Sequence, residues 1–332
     1  MKTILHADLV SYTGKFHPVI TFMDRIEYMV EKYSDVDEIW YGLSQNPNIT
    51  LDFIQANLDK PWNWGYEGVS QNPNITWDFI QANSHFPWDW YGLSSNPDIT
   101  FEIIQSNPHL DWNWSQVSVN PNITFEIVQA NPEFDWDWNR LSANLNITGD
   151  IVRENPDNPW NWWLLSSNPS ITWEFVQANL RFPWEWAMLS YNPNITWEIV
   201  RANPDFDWDW VELSSHLNIT PEIVRTNPDL PWNWRELSKN PNITWDFVQA
   251  NVDKPWDWSQ LSSHPNITLD FVQANPDFDW EWYEFNFNPN MTLDFIEANP
   301  KCTWNWDYLI LNTDILFDSV YRYGKFPPPL ST

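Results

Sequence analysis

The sequence predicts an all-α protein: a right- or left-handed α-solenoid of about eleven 24-residue helix-turn-helix repeats with a cap at each end. Three observations predict it. Eleven Trp-x-Trp pairs, Trp62/Trp64 through Trp304/Trp306, recur at a near-constant spacing of 24 residues. A threonine from an Ile-Thr or Met-Thr step lies 12 residues before each pair, and an asparagine follows each threonine by seven. A period in this range denotes stacked units that cannot bury their apolar faces alone.

Residues 1–44 read as an N-terminal capping segment. Pro18-Val19-Ile20-Thr21-Phe22 echoes the start of a repeat, a more charged helix from about Phe22 to Lys32 follows, and Ile39-Trp40-Tyr41-Gly42-Leu43-Ser44 rejoins the pattern.

The repeats occupy 45–311. In the copy Asn218-Ile219-Thr220-Pro221-Glu222-Ile223-Val224, proline is tolerated only in a first helical turn, so Thr220 is the N-cap. The same register makes Thr50, Thr76, Thr100, Thr124, Thr148, Thr172, Thr196, Thr244, Thr268 and Thr292 caps. Ile219 and Val224 then have hydrophobic-staple spacing, and every copy places Asp or Glu in the first turn, against the helix dipole. Asn57 through Asn299 end this helix after about two turns, and each is expected in the left-handed position that glycine more usually fills.

A second helix is expected to start near Pro231, where other copies have Asp111, Asp135, Asp207, Asp279 or Thr303, and to close at Asn240-Pro241. His216 and His264 replace that asparagine in two copies. Each unit is thereby a pair of short antiparallel helices joined by tight Asn-Pro turns, neither long enough to persist alone. The single phase break, from Thr50 to Thr76, comes from Gly65-Tyr66-Glu67-Gly68 and predicts a local kink. Residues 312–321 copy half a repeat as a C-terminal cap, and 322–332 form a Pro-rich tail.

Composition narrows the function classes. A formal charge of −29, from 16 Lys and Arg against 45 Asp and Glu, repels phosphate backbones and anionic membranes, so no nucleic acid or membrane is expected as partner. A protein partner with a basic surface is the natural complement, although solubility of a Trp-rich chain explains the charge as well. Cys302 stands alone, and Met1-Lys2-Thr3-Ile4-Leu5-His6-Ala7-Asp8 meets charge before any run long enough for a signal peptide. An intracellular, non-secreted setting is expected. The Asn-Ile-Thr triplets, formally glycosylation acceptors, then read as turn and cap chemistry.

Tryptophan pairs can stack on sugars or methyl-lysine, but recurrence in every unit marks the first of each pair as core and the second as half-buried core. Asp205-x-Asp207-x-Asp209 and Glu133-x-Asp135-x-Asp137 resemble the start of a calcium loop, yet no glycine turn or bidentate glutamate follows, so no metal is assigned. The six histidines form no ligand cluster, and no nucleophile elbow or phosphate loop appears. No enzyme and no cofactor are expected.

Specificity is sought where the units differ. The first and fifth positions after the second Trp lie one helical turn apart and vary freely, with large groups at Tyr91, Trp163, Tyr191, Arg235, Tyr283 and Phe287. A fixed core with one variable stripe is the arrangement of a binding face, with unconstrained drift as the competing explanation.

The phrase Leu237-Ser238-Lys239-Asn240-Pro241-Asn242-Ile243-Thr244-Trp245-Asp246-Phe247-Val248-Gln249-Ala250-Asn251, followed by Pro255-Trp256-Asp257-Trp258, resembles the tandem Trp/Asn-rich repeat proteins of giant DNA viruses of the Mimivirus type. The resemblance covers the chain apart from its ends. It implies a viral origin and a host-cytoplasm or virion setting, and no catalytic residues. The expected role is a non-enzymatic scaffold, a monomer more readily than an oligomer, binding a host protein. A structural virion component and glycan binding through exposed Trp and Tyr are the alternatives.

Overall fold

The computed structural model describes Ile26 and residues 37–65 and 68–305. Among the described residues there are twenty α-helices, two 3-10 turns and no strand, an all-α solenoid of repeats. The expected helix at 22–32 (Ile26 apart), the half-repeat at 312–321, the tail at 322–332 and the insertion residues 66 and 67, where a kink was expected, lie outside them. We number repeats 1 to 11 by their threonines, Thr50 to Thr292.

Every first helix has six residues, from Leu51–Ala56 in repeat 1 to Leu293–Ala298 in repeat 11. Thr220 Oγ1 accepts the backbone N–H of Ile223 with Pro221 at the first helical position. Nine of the eleven threonines accept in this way, and Thr124 and Thr268 do not. The Thr124 hydroxyl instead bonds Glu126, which together with the backbone N–H of Glu126 holds that carboxyl below its usual range.

The end of this helix corrects the sequence reading. Asn57, Asn131, Asn227 and Asn299 have φ of −131°, −135°, −131° and −123°, so the position is not left-handed. The amide does the work instead. Asn227 Nδ2 donates to the carbonyl of Ile223 at 2.8 Å, taking the place of the N–H that the next turn would supply, and its own carbonyl accepts Trp232 Nε1 at 2.8 Å. Both bonds recur in all eleven repeats. The backward bond needs the side-chain amide and so selects asparagine, whereas the forward bond to the indole uses the backbone carbonyl that any residue would supply.

The second helix starts later than expected. In repeats 2 to 9 the first Trp lies in extended chain, the middle residue of Trp-x-Trp is the N-cap, and the second Trp opens the helix, as in Trp90–Ser94, Trp162–Ser167 and Trp210–Ser215. Asp89, Asn113, Asp137, Asn161, Asp209, Asn233 and Asp257 each accept a first-turn N–H. Glu185 does not, its side chain being one methylene longer than the cap geometry takes. Only the connection into the first helix is a tight Asn-Pro turn. The other, Asn227 to Asn233 in repeat 8, takes seven residues because it must carry the first Trp into the core. The second helix is shortened to a 3-10 turn in repeat 1, which carries the two-residue insertion, as Val69–Gln71, and in repeat 10, which does not, as Glu284–Phe287.

Second helices pack on the second helices of adjacent repeats. Asp37–Gln45 begins the row, with Trp40 fully buried and edge-on to Trp62 at 4.9 Å. From there each second Trp meets the first Trp of the next repeat edge to face, from Trp64–Trp88 to Trp282–Trp304, at 4.9–6.2 Å and 79–89°. The first Trp of each pair is 6–9% exposed, and the second is half-buried in repeats 2 to 10.

A polar ladder runs through the same junctions. Buried Ser118 donates its hydroxyl to the Trp114 carbonyl at 2.7 Å and accepts the Asp137 N–H of the next repeat at 3.0 Å. Asn120 Nδ2 reaches the carbonyls of Ser94, Asn96 and Ile99 in the preceding unit at 3.0–3.1 Å, while its Oδ1 accepts the Asn122 N–H. Asn122, from an Asn-Ile-Thr triplet, donates to Pro97 and Ile99 carbonyls. These bonds satisfy carbonyls that short helices otherwise leave open.

Neighbouring first helices are matched in size. Where a helix opens with Trp77, Phe101, Phe125, Trp173 or Trp197, the third residue of the next is Ile103, Ile127, Ile151, Ile199 or Ile223. Where it opens with Leu51, Gly149, Pro221 or Leu269, that residue is Phe79, Phe175, Phe247 or Phe295. Contact explains the pairing: a Cβ on Gly149 would lie 2.5 Å from Phe175 Cγ. Trp245 with Phe271 is the exception, two large rings stacked at 5.8 Å.

Candidate partner-binding face

The variable positions are the second and sixth residues of the second helices, the face turned away from the indole ladder. Tyr91, Trp163, Tyr191, Tyr283 and Phe287 are 37%, 53%, 58%, 46% and 45% exposed, and the Arg235 side chain is 75% exposed. Tyr283 and Phe287 lie one turn apart with ring centroids 6.0 Å from each other.

Adjacent units form one surface at this position. Ser115 Oγ donates to Asp137 Oδ2 of the next repeat at 2.7 Å, Asn161 Nδ2 to Asn139 Oδ1 of the preceding one at 2.8 Å, and Arg235 Nε lies 3.7 Å from Asp257 Oδ2. At these three places the variable side chain sits beside the cap of the following helix, a carboxylate at Asp137 and Asp257 and an amide at Asn161. Burial pushes the Asp137 carboxyl up, but the Ser115 hydroxyl and the N–H groups of Arg140 and Asn139 outweigh it and hold the group below the usual range. Glu212 goes the other way, raised by burial and by the charges of Asp209 and Glu236, with Lys239 opposing. Where the variable residue is only Ala187, an open recess of about 470 Å³ appears, lined by Trp186, Trp210, Glu185, Asp207 and Asp209.

One member of the row escaped the sequence comparison. Tyr41, 53% exposed, occupies the same slot as Tyr91 and Trp163, as does Val211, 44% exposed. Tyr41 was legible: Trp40-Tyr41-Gly42-Leu43-Ser44 repeats Trp90-Tyr91-Gly92-Leu93-Ser94 letter for letter, and only the absence of a preceding Trp hides it.

Other candidates resolve into structure. Asp209 spends its carboxylate on the N–H groups of Val211 and Glu212, and among the described residues no three His, Cys, Asp or Glu are grouped to hold a metal ion. His216 and His264 are buried in the polar ladder. No described helix is long and apolar enough to cross a membrane. No family model, curated protein or solved structure matches this chain.

Proposed function

We propose that this protein is a non-enzymatic scaffold that binds another protein along the row formed by the second helices. One observation carries the reading. Rings as large as Trp163 and Tyr283 stand about half exposed in a slot that elsewhere holds Ser115, Ala187 or Ser259, and Tyr191 stands as exposed in one that elsewhere holds Ser167 or Ser215, while the core beneath is unchanged. Exposed rigid aromatics supply contact area at low conformational cost, and they anchor many protein interfaces. The resemblance to giant-virus repeat proteins makes a host protein the first partner to seek.

The test is affinity capture from an amoebal lysate with the intact protein and with a Trp163→Ser, Tyr191→Ser, Tyr283→Ser variant. A stoichiometric partner captured by the first and lost by the second supports the reading. Equal capture by both, or none by either, removes it.

A further inference from the structure

At every junction five side chains form a box: the residue opening one first helix, the second Trp of that unit, the third residue of the next first helix, the residue two before the next first Trp, and that Trp. Between repeats 6 and 7 the box is Trp173, Trp186, Ile199, Phe206 and Trp208. It is closed, with Trp186 stacked on Phe206 at 4.6 Å and Trp173 at 5.7 and 5.5 Å from Phe206 and Trp208. Between repeats 9 and 10 it is Trp245, Trp258, Phe271, Phe278 and Trp280, again closed, with Trp258 stacked on Phe278 at 4.9 Å.

The box between repeats 8 and 9 departs at two corners. Pro221 opens the helix where those junctions have tryptophan, and Lys254 stands where they have phenylalanine. Phe247 stacks on Trp234 at 6.1 Å, and Lys254 Nζ lies 5.7 Å from the Trp234 ring without filling a phenyl's volume. A cavity of about 530 Å³ results, floored by Val224, Trp232, Trp234 and Phe247 and rimmed by Arg225 and Lys254. That volume is in the range of small-ligand sites, which join an apolar floor to a few polar groups.

We infer that this cavity is a binding site for an uncharged planar aromatic ring of about the size of indole. The closed junctions show what the space accepts, because there the chain supplies the ring itself. The rim favours no net charge: Arg225 pairs with Glu222, Lys254 lies 3.5 Å from Asp253, and Asp246 lines the same opening. Aromatic rings on Trp234 and Phe247 offer the stacking geometry, and the Lys254 ammonium, already over Trp234, can lie over a bound ring's face. The site lies on the first-helix side of the array and does not depend on the proposed partner face.

The test is calorimetric and ligand-observed NMR titration of the full chain with indole, with N-acetyltryptophanamide and with indole-3-acetate. Indole binding at one site, weakened at least tenfold in Pro221→Trp/Lys254→Phe, supports the assignment. That variant turns the junction into a copy of the one between repeats 9 and 10, so its fold is expected to persist, as circular dichroism will verify. Binding of N-acetyltryptophanamide as tight as that of indole marks a partner's tryptophan side chain as the source of the ring, and binding of indole alone marks a free small molecule. Absence of saturable indole binding, retention in the filled variant, or tighter binding of indole-3-acetate than of indole overturns it.

Discussion

His216 Nε2 lies 3.1 Å from the carbonyl oxygen of Asn192 in the preceding repeat, in the place where Asn120, Asn144 and Asn240 put an amide nitrogen. Its Nδ1 meanwhile accepts the N–H of Asn218 at 3.2 Å, as Asn120 Oδ1 accepts that of Asn122. The imidazole thus reproduces the donor and acceptor of the amide, but only as the neutral tautomer with its proton on Nε2. His264 repeats both bonds, at 2.9 and 3.1 Å.

Acid is therefore expected to loosen these two junctions. Burial pulls both histidines below their ordinary value of 6.5, more than the bonds to Asn192 and Asn240 raise them. The unfolded chain then binds the extra protons, so the contribution is complete above about 6.5 and is lost as pH falls through the depressed folded values. Urea midpoints between pH 7 and 5 should fall for the native chain and fall less for His216→Asn/His264→Asn. Identical slopes would show that the imidazoles carry no such linkage. Glu212, raised by burial and the charges of Asp209 and Glu236, titrates in the opposite sense and is present in both chains.

The equivalence of the two side chains is testable directly. Asn120→His should retain most of the stability, since His216 occupies the same niche, whereas Asn120→Leu strands the carbonyls of Ser94, Asn96 and Ile99 and should cost about 3 kcal/mol. Chemical denaturation of the two variants decides between a hydrogen-bonding and a volume requirement.

Size matching between first helices predicts a rescue. Gly149→Trp should destabilise by about 1–3 kcal/mol because even its Cβ meets the Phe175 ring. Adding Phe175→Ile recreates the Trp173 and Ile199 pairing and should recover most of the loss, a coupling that a double-mutant cycle measures.

Caps should differ with their bonds. Thr220→Ala removes an acceptor for the Ile223 N–H and should cost about 1 kcal/mol. Thr124→Ala, where no such bond is made, should cost less while letting the Glu126 carboxyl rise toward its usual value, which carboxylate NMR reports.

Much of the architecture was legible in one unit. Pro221 marks the helix start at Thr220, and the 24-residue period transfers that register to every copy. The helix ends were misjudged for a definite reason. A left-handed asparagine and one with φ of −131° look the same in sequence, and what separates them is the bond from Asn227 Nδ2 to Ile223 together with the bond from Trp232 Nε1 to Asn227. The variable stripe was legible, and so was Tyr41, because Trp40-Tyr41-Gly42-Leu43-Ser44 repeats Trp90-Tyr91-Gly92-Leu93-Ser94; that the helix Asp37–Gln45 opens the row came from the structure.

By itself the sequence determined that the chain is an array of two-helix units, where the first helices begin, and which residues alternate between core and surface, because these follow from local sterics and period. Only the tertiary structure decided how one unit holds the next. The Ser and Asn ladder, the edge-on indoles, the match of Gly149 to Phe175 and the gap left by Pro221 and Lys254 join residues about 19 to 35 positions apart. Such pairings depend on the stacking offset between units, a quantity that no single repeat contains.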